Sequence, residues 1–196
     1  MRLVQPAMQR TVLRSCLLAM CAIDSPPPID SLVYSLVSGG PAANEPRNMN
    51  IITYCTPVAH SPERWYAVSL FHGTVSRENF LRDDGGCVLQ ILAAEHAPLV
   101  PLLGQQSARD VDKLSKLAEQ GVALTPVRDN HDVLAGCVGA LKLKAASVHT
   151  CGDHDVALCK MVWYQDVQRD AVPLTTGKLR EAGILPPAGP PKTRKT

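Results

Sequence analysis

Residues 71 to 80, FHGTVSRENF, follow directly on the strand-like run WYAVSL and set Thr74, Ser76, Arg77 and Asn79 behind a turn glycine, Gly73. Hydroxyls beside a guanidinium suit a phosphate, which needs O–H and N–H donors and a cation with fork geometry. Upstream, NMNIITYCT supplies Thr53, Cys55 and Thr56. If the two stretches are consecutive antiparallel strands, the end of one and the start of the other lie close. Thr53, Cys55, Thr56, Thr74, Ser76 and Arg77 would then share a site. An ordinary polar turn fits the same residue types, and on the residues alone both readings stand.

A second constellation is HTCGDHDVALC, with His149, Cys151, His154 and Cys159. Histidine and cysteine are the favoured zinc ligands, but this spacing matches no standard zinc pattern, so no metal site is assigned. In a strand–turn–strand reading Cys159 lies well along the second strand, while Asp153 and His154 stay in the turn at a sheet end. No GxSxG motif and no cysteine-protease signature occurs. Asp112 and Lys113 read as a charged pair on a solvated helix face. GGP at 39–41 is not a GxGxxG fingerprint, so any NAD(P)H site would be of a non-Rossmann kind.

The elements that must position these residues are mostly short. SLVYSLV (31–37) is β-rich. NIITYCT (50–56) and WYAVSLF (65–71) read as two strands of a hairpin around the turn AHSPE. RENFLRD predicts about one helical turn, and GGCVLQIL is a strand opened by two glycines. AAEHAPLVPLLG is helical around Pro101. SARDVDKLSKLAEQG predicts a helix capped by Ser107, with Asp110 three residues on, Val111, Leu114 and Leu117 as its apolar face, and Gly121 at its end. ALKLKAA (140–146) alternates apolar and charged residues as a half-buried strand does, and VALCKMVWY (156–164) follows beyond the CGDHD turn. GKLREAGIL predicts a short helix. Strands, then helices, then strands make an α+β or barrel pattern rather than regular βαβ alternation.

The whole chain narrows the function classes. Its 196 residues are 45% hydrophobic, enough for one sizeable core. Net charge is +2, and the aromatics number two Phe, four Tyr and two Trp, which disfavours a nucleic-acid partner. Seven cysteines without a CxxC pair suit a reducing compartment. No apolar run reaches the roughly 18 residues of a membrane helix. Residues 1–23 hold Arg2, Arg10 and Arg14 with no acid before Asp24, which fits either an organelle transit peptide or an amphipathic first helix ended by SPPP. The expected location is accordingly the cytoplasm, or a plastid or mitochondrion if that segment is a transit peptide. The expected organisation is an N-terminal segment at 1–30, a domain at 31–175, and a short helix with a Pro-rich basic tail at 176–196.

NMNIITYCTPVAHSPERWYAVSL, FHGTVSRENF, GGCVLQIL, LLGQQSARDVDKL and GDHDVALCKMV stand in the order found in the flavin reductase-like family, and the chain resembles that family over about residues 31 to 165. The resemblance implies a six-stranded antiparallel split β-barrel, mainly β with helices, that forms a homodimer with FMN near the interface. It implies that Asn50, Thr53, Tyr54, Cys55 and Thr56 lie along the flavin ring and ribityl chain. Thr74, Ser76, Arg77 and Asn79 would hold the phosphate, and His154 of Gly152-Asp153-His154 would act at the flavin and nicotinamide side. Two departures stand out: a single Pro62 before the second strand where relatives carry two prolines, and Ser107-Ala108 where they often carry Ser-Gly. The implied activity is hydride transfer between NAD(P)H and flavin. The alternatives are an FMN-binding or heme-binding homodimer without catalysis. Because the cofactor carries the chemistry, few catalytic side chains are needed.

Overall fold

The computed structural model describes residues 29–39 and 47–186. Asp30–Pro186 forms one compact unit; a second, Met1–Ile29 with Pro187–Thr196, lies almost wholly outside the described residues. The expectations for a transit segment or a first helix ended by SPPP, and for the basic tail, fall there.

The chain lays down β1 (Tyr34–Ser38), β2 (Asn48–Ile52), β3 (Cys55–Ala59) and β4 (Trp65–Phe71), then α1 (Val75–Arg82) and β5 (Gly86–Ile91). A 3-10 turn (Ala94–Leu99) leads into α2 (Val100–Gln105) and α3 (Lys113–Glu119). The small pair β6 (Leu124–Val127) and β7 (His131–Leu134) precedes the long strands β8 (Gly139–Cys151) and β9 (His154–Asp166), and α4 (Thr176–Glu181) closes the unit. Seven strands form one antiparallel sheet in the order β2-β1-β5-β8-β9-β4-β3.

That order requires a rolled sheet. β2 and β3 sit at opposite edges yet are joined only by Thr53 and Tyr54. A flat seven-stranded sheet would hold its edges about 29 Å apart. Two linking residues span at most about 11 Å between Ile52 and Cys55. The hairpin expected over 50–71 therefore exists only in its second half, as β3 against β4. The first half leaves to pair with β1, from Asn48 opposite Ser38 to Ile52 opposite Tyr34. Burial gives the reason: Met49 and Ile52 are core residues, whereas β3 from Thr56 to Ala59 is exposed along the edge. The expected six strands become seven because this run breaks in two.

β1 is buried on both faces, since alternate side chains of a strand point opposite ways. Tyr34 and Leu36 join a cluster with Val68, Leu70, Phe80, Leu89, Leu141 and Ala157. Val33 and Val37 join another with Leu92, Leu103, Leu117, Trp163, Leu174 and Leu179. Leu179 thus packs α4 into the same unit.

Two helix boundaries differ from expectation. α1 runs two turns rather than one because Thr74 caps it, its Oγ1 accepting from the Arg77 N–H. α3 starts at Lys113, not beyond Ser107. Asp112 is the stronger cap: one carboxylate accepts the N–H groups of Leu114 and Ser115 and the Ser115 hydroxyl, and its charge suits the helix N-terminus. Ser107 closes only a turn, its Oγ accepting from Arg109 N–H. Gly121, at φ +71, ends α3 as expected.

Candidate functional site

The β2–β3 junction, the end of β4 and the start of α1 enclose an open groove of about 210 Å³. The Ser69 N–H donates to the Tyr54 carbonyl at 2.9 Å and holds the junction against β4. Of the residues expected at a site, Asn50, Thr53, Tyr54, Thr74, Ser76 and His154 line this groove. Ile51, Ile52, Leu70 and Phe71 give it apolar wall, and Ser69 adds a hydroxyl.

Cys55, Thr56, Arg77 and Asn79 do not line it. Cys55 is half-buried on β3, and burial pushes its thiol up to about 12, so it stays protonated and a poor nucleophile. Thr56 is exposed on the edge strand. Asn79 is buried under α1, where its Nδ2 donates to Ser38 Oγ at 3.4 Å. Arg77 is held from behind: its Nε donates to Asp155 Oδ2 at 2.6 Å.

The start of α1 supplies donors. Ser76 is 1% exposed and its Oγ accepts from Asn48 Nδ2 at 2.9 Å, which leaves its proton for another acceptor. The Thr74 hydroxyl is fully used, donating to Phe71 O while accepting from Arg77 N–H. It is a cap rather than a free donor. The N–H groups of Val75 and Ser76 belong to the first turn and have no partner within the helix ladder.

At the other wall the two-residue turn between β8 and β9 sets Gly152 at φ +63, a conformation that favours glycine. His154 then faces Phe71 edge-on, with centroids 5.2 Å apart, and stands 5.7 Å from the Tyr54 ring. Asp153 Oδ1 accepts from Nδ1 at 2.6 Å, and this bond lowers the Asp153 pKa. With the proton on Nδ1, Nε2 of the neutral ring is an acceptor.

Lys113 was not singled out for a site, and it is not on a solvated face. It is 4% exposed, and its Nζ donates to Leu103 O at 2.5 Å and to Asn50 Oδ1 at 3.4 Å. Burial lowers its pKa to about 8, and no carboxylate among the described residues pairs with it. Asn50 therefore spends its oxygen on a buried cation and keeps its NH₂ for the groove. The signal in the sequence is the spacing to Leu117, one turn on, which puts both residues on the buried side. His149, Cys151, His154 and Cys159 do not converge: Cys159 lies in the core, Cys151 is exposed, and His149 sits on Ser147 Oγ. Among the described residues no cluster of three or more His, Cys, Asp or Glu could hold a metal ion.

A flavin nucleotide fits this donor set. The apolar Ile52 and Phe71 suit a flat ring, the Asn50 amide and Thr53 hydroxyl suit its polar edge, and the α1 donors with Ser76 suit a terminal phosphate.

The flavin reductase like domain model matches residues 32–180. No curated protein matches the chain. Among solved structures, the NADH:FAD oxidoreductase SgcE6 of Streptomyces globisporus C-1027, in complex with NAD and FAD fragments, is similar at TM-score 0.64 and 16% identity over 92% of this chain and 94% of that one. The FMN-binding protein of Thermus thermophilus with bound 1-cyclohex-2-enone reaches 0.60 at 18% identity, covering 86% and 82%. The styrene monooxygenase flavin reductase of Pseudomonas putida S12 reaches 0.61 at 13% identity, covering 78% and 89%. Identities this low speak for the fold alone, but the family model spans most of the chain. The rolled antiparallel sheet, the groove at its seam and the matched domain agree: this chain belongs to the flavin reductase-like family.

Proposed function

We propose that the protein binds FMN in the groove and passes a hydride between NAD(P)H and the flavin, acting as a homodimer. The observation that carries this is the convergence of Asn50, Ser76 and His154 on one groove with an apolar wall between them. The comparison with an NADH:FAD oxidoreductase and with flavin reductases supports the same reading.

Bound flavin would supply the hydride chemistry itself. The chain's part is to bind, orient and exclude water. Asn50 offers its NH₂ to a ring carbonyl, with the Lys113 charge behind it. Phe71 and Tyr54 shield a ring face. Ser76 and the first N–H groups of α1 take the phosphate. His154 Nε2 stands where a carboxamide or a flavin polar edge would meet it. The groove is smaller than the roughly 300–1,000 Å³ of a typical small-molecule site. Exposed Tyr54, Phe71, Val162 and Tyr164 flank it or share its sheet. Both features suit a twofold partner that completes the site.

Purified protein titrated with FMN and then given NADH or NADPH tests the reading. Flavin bound with nucleotide oxidation supports it. Flavin bound without turnover would leave a non-catalytic FMN protein, and the absence of flavin binding would overturn the proposal.

A further inference from the structure

We infer that Asp155, which lies outside the groove, is a positioning residue that clamps the Phe71–Arg77 turn to the His154 hairpin; the inference rests on the flavin reading above. Asp155 is 3% exposed, and a buried carboxylate is costly unless it is well partnered. Three side chains from three segments meet it. Arg77 Nε, in the first turn of α1, donates to Oδ2 at 2.6 Å. His72 Nε2, in the turn after β4, lies 3.0 Å from Oδ1, and Thr150 Oγ1 on β8 donates to Oδ1 at 3.1 Å.

The clamp sits where the sheet stops holding the chain. The β4–β9 ladder ends at Phe71 opposite His154. Beyond it, the backbone tie is His72 N–H to Asp153 O at 3.0 Å, and the chain then turns at Gly73 with φ +77. Arg109 also reaches this turn, at Gly73 O and at Glu78, but from an exposed position where ion pairs contribute little. Asp155 neighbours His154 in a strand, so its side chain leaves by the opposite face. It therefore touches neither the groove nor His154. It fixes the wall carrying Thr74 and Ser76 relative to the wall carrying His154.

Arg77 then acts through Asp155 rather than on the ligand. The test uses the full chain with Asp155→Asn, Arg77→Gln and the double variant. Binding of FMN and of riboflavin, amide exchange by residue and thermal melting are measured. Asp155→Asn should weaken FMN by about tenfold or more, the worth of one charge-assisted hydrogen bond to the phosphate. Riboflavin, which lacks the phosphate that Ser76 would meet, should lose less. Exchange should quicken at residues 72–77 and not in β5 or β8. The double variant should bind FMN no worse than Asp155→Asn, as residues acting as one unit do. FMN affinity within about twofold of wild type would overturn the inference. So would faster exchange spread evenly through β5 and β8, or a double variant showing the product of both single losses. If the wild type binds neither flavin, the flavin reading fails by itself. Exchange still decides the clamp in that case, and unchanged exchange at 72–77 in Asp155→Asn overturns it.

Discussion

Lys113 is a buried cation whose partners are neutral oxygens, and its titration is measurable. Its pKa falls from the usual 10.5 to about 8 on burial. Between those values the unfolded chain binds more protons than the folded one, so this group makes stability rise with pH in that window. An anionic ligand in the adjoining groove favours the charged form. FMN binding should therefore take up a proton near pH 8 and weaken as pH rises toward 9, and Lys113→Met should flatten that profile in calorimetry. Asp155 has the same sign in an acidic window. The His72 hydrogen bond first, then those of Arg77 and Thr150, lower it from 3.8 to about 2. Its contribution is complete above about pH 4 and is lost as pH falls through 2. The urea midpoint of the wild type should drop more steeply over that range than that of Asp155→Asn. His154→Ala should retain FMN while slowing NAD(P)H oxidation roughly three- to tenfold, the loss expected of one hydrogen bond. At this scale the sequence showed which types gather but not which atoms remain free. Thr74 and Arg77 carry the right groups for a phosphate, yet the Thr74 hydroxyl is taken up as a cap and the Arg77 Nε by Asp155. Asp155 closes the run CGDHD, which reads as a turn in the sequence although Asp155 belongs to β9.

Helix starts decide where the groove's donors stand. Asp112, not Ser107, begins α3, so Asp112→Ala should cost about 0.5–2 kcal/mol. Ser107→Ala should stay within about 0.5 kcal/mol. Urea unfolding of the two variants separates them. α1 is anchored by Phe80, which is fully buried against the sheet. Elements with a clean period were legible: Leu141 and Leu143 against Lys142 and Lys144 predict β8, and Gly121 marks the end of α3. β1 was readable as β-rich but not as buried on both faces, since SLVYSLV has no alternation to show. The break between β2 and β3 was hidden because NIITYCT mixes β-branched and aromatic residues that read as one strand. Only long-range pairing with β1 and β4 distinguishes its two halves.

The rolled sheet makes the site a consequence of topology. A chain that crosses from one edge to the other in two residues leaves a seam at Thr53 and Tyr54, and the groove lies along it. Residues 50 and 154, far apart in sequence, meet there because β4 pairs with β9 and the seam lies beside β4. Among the described residues no helix is long and apolar enough to cross a membrane. The direct test of this account is an equilibrium titration of the full chain with FMN, followed by flavin absorbance and fluorescence. The account predicts saturable binding of one FMN per chain, weakened when Ser76 is changed to Ala. No saturable binding up to about millimolar FMN, the weak end of the affinity scale, would contradict it.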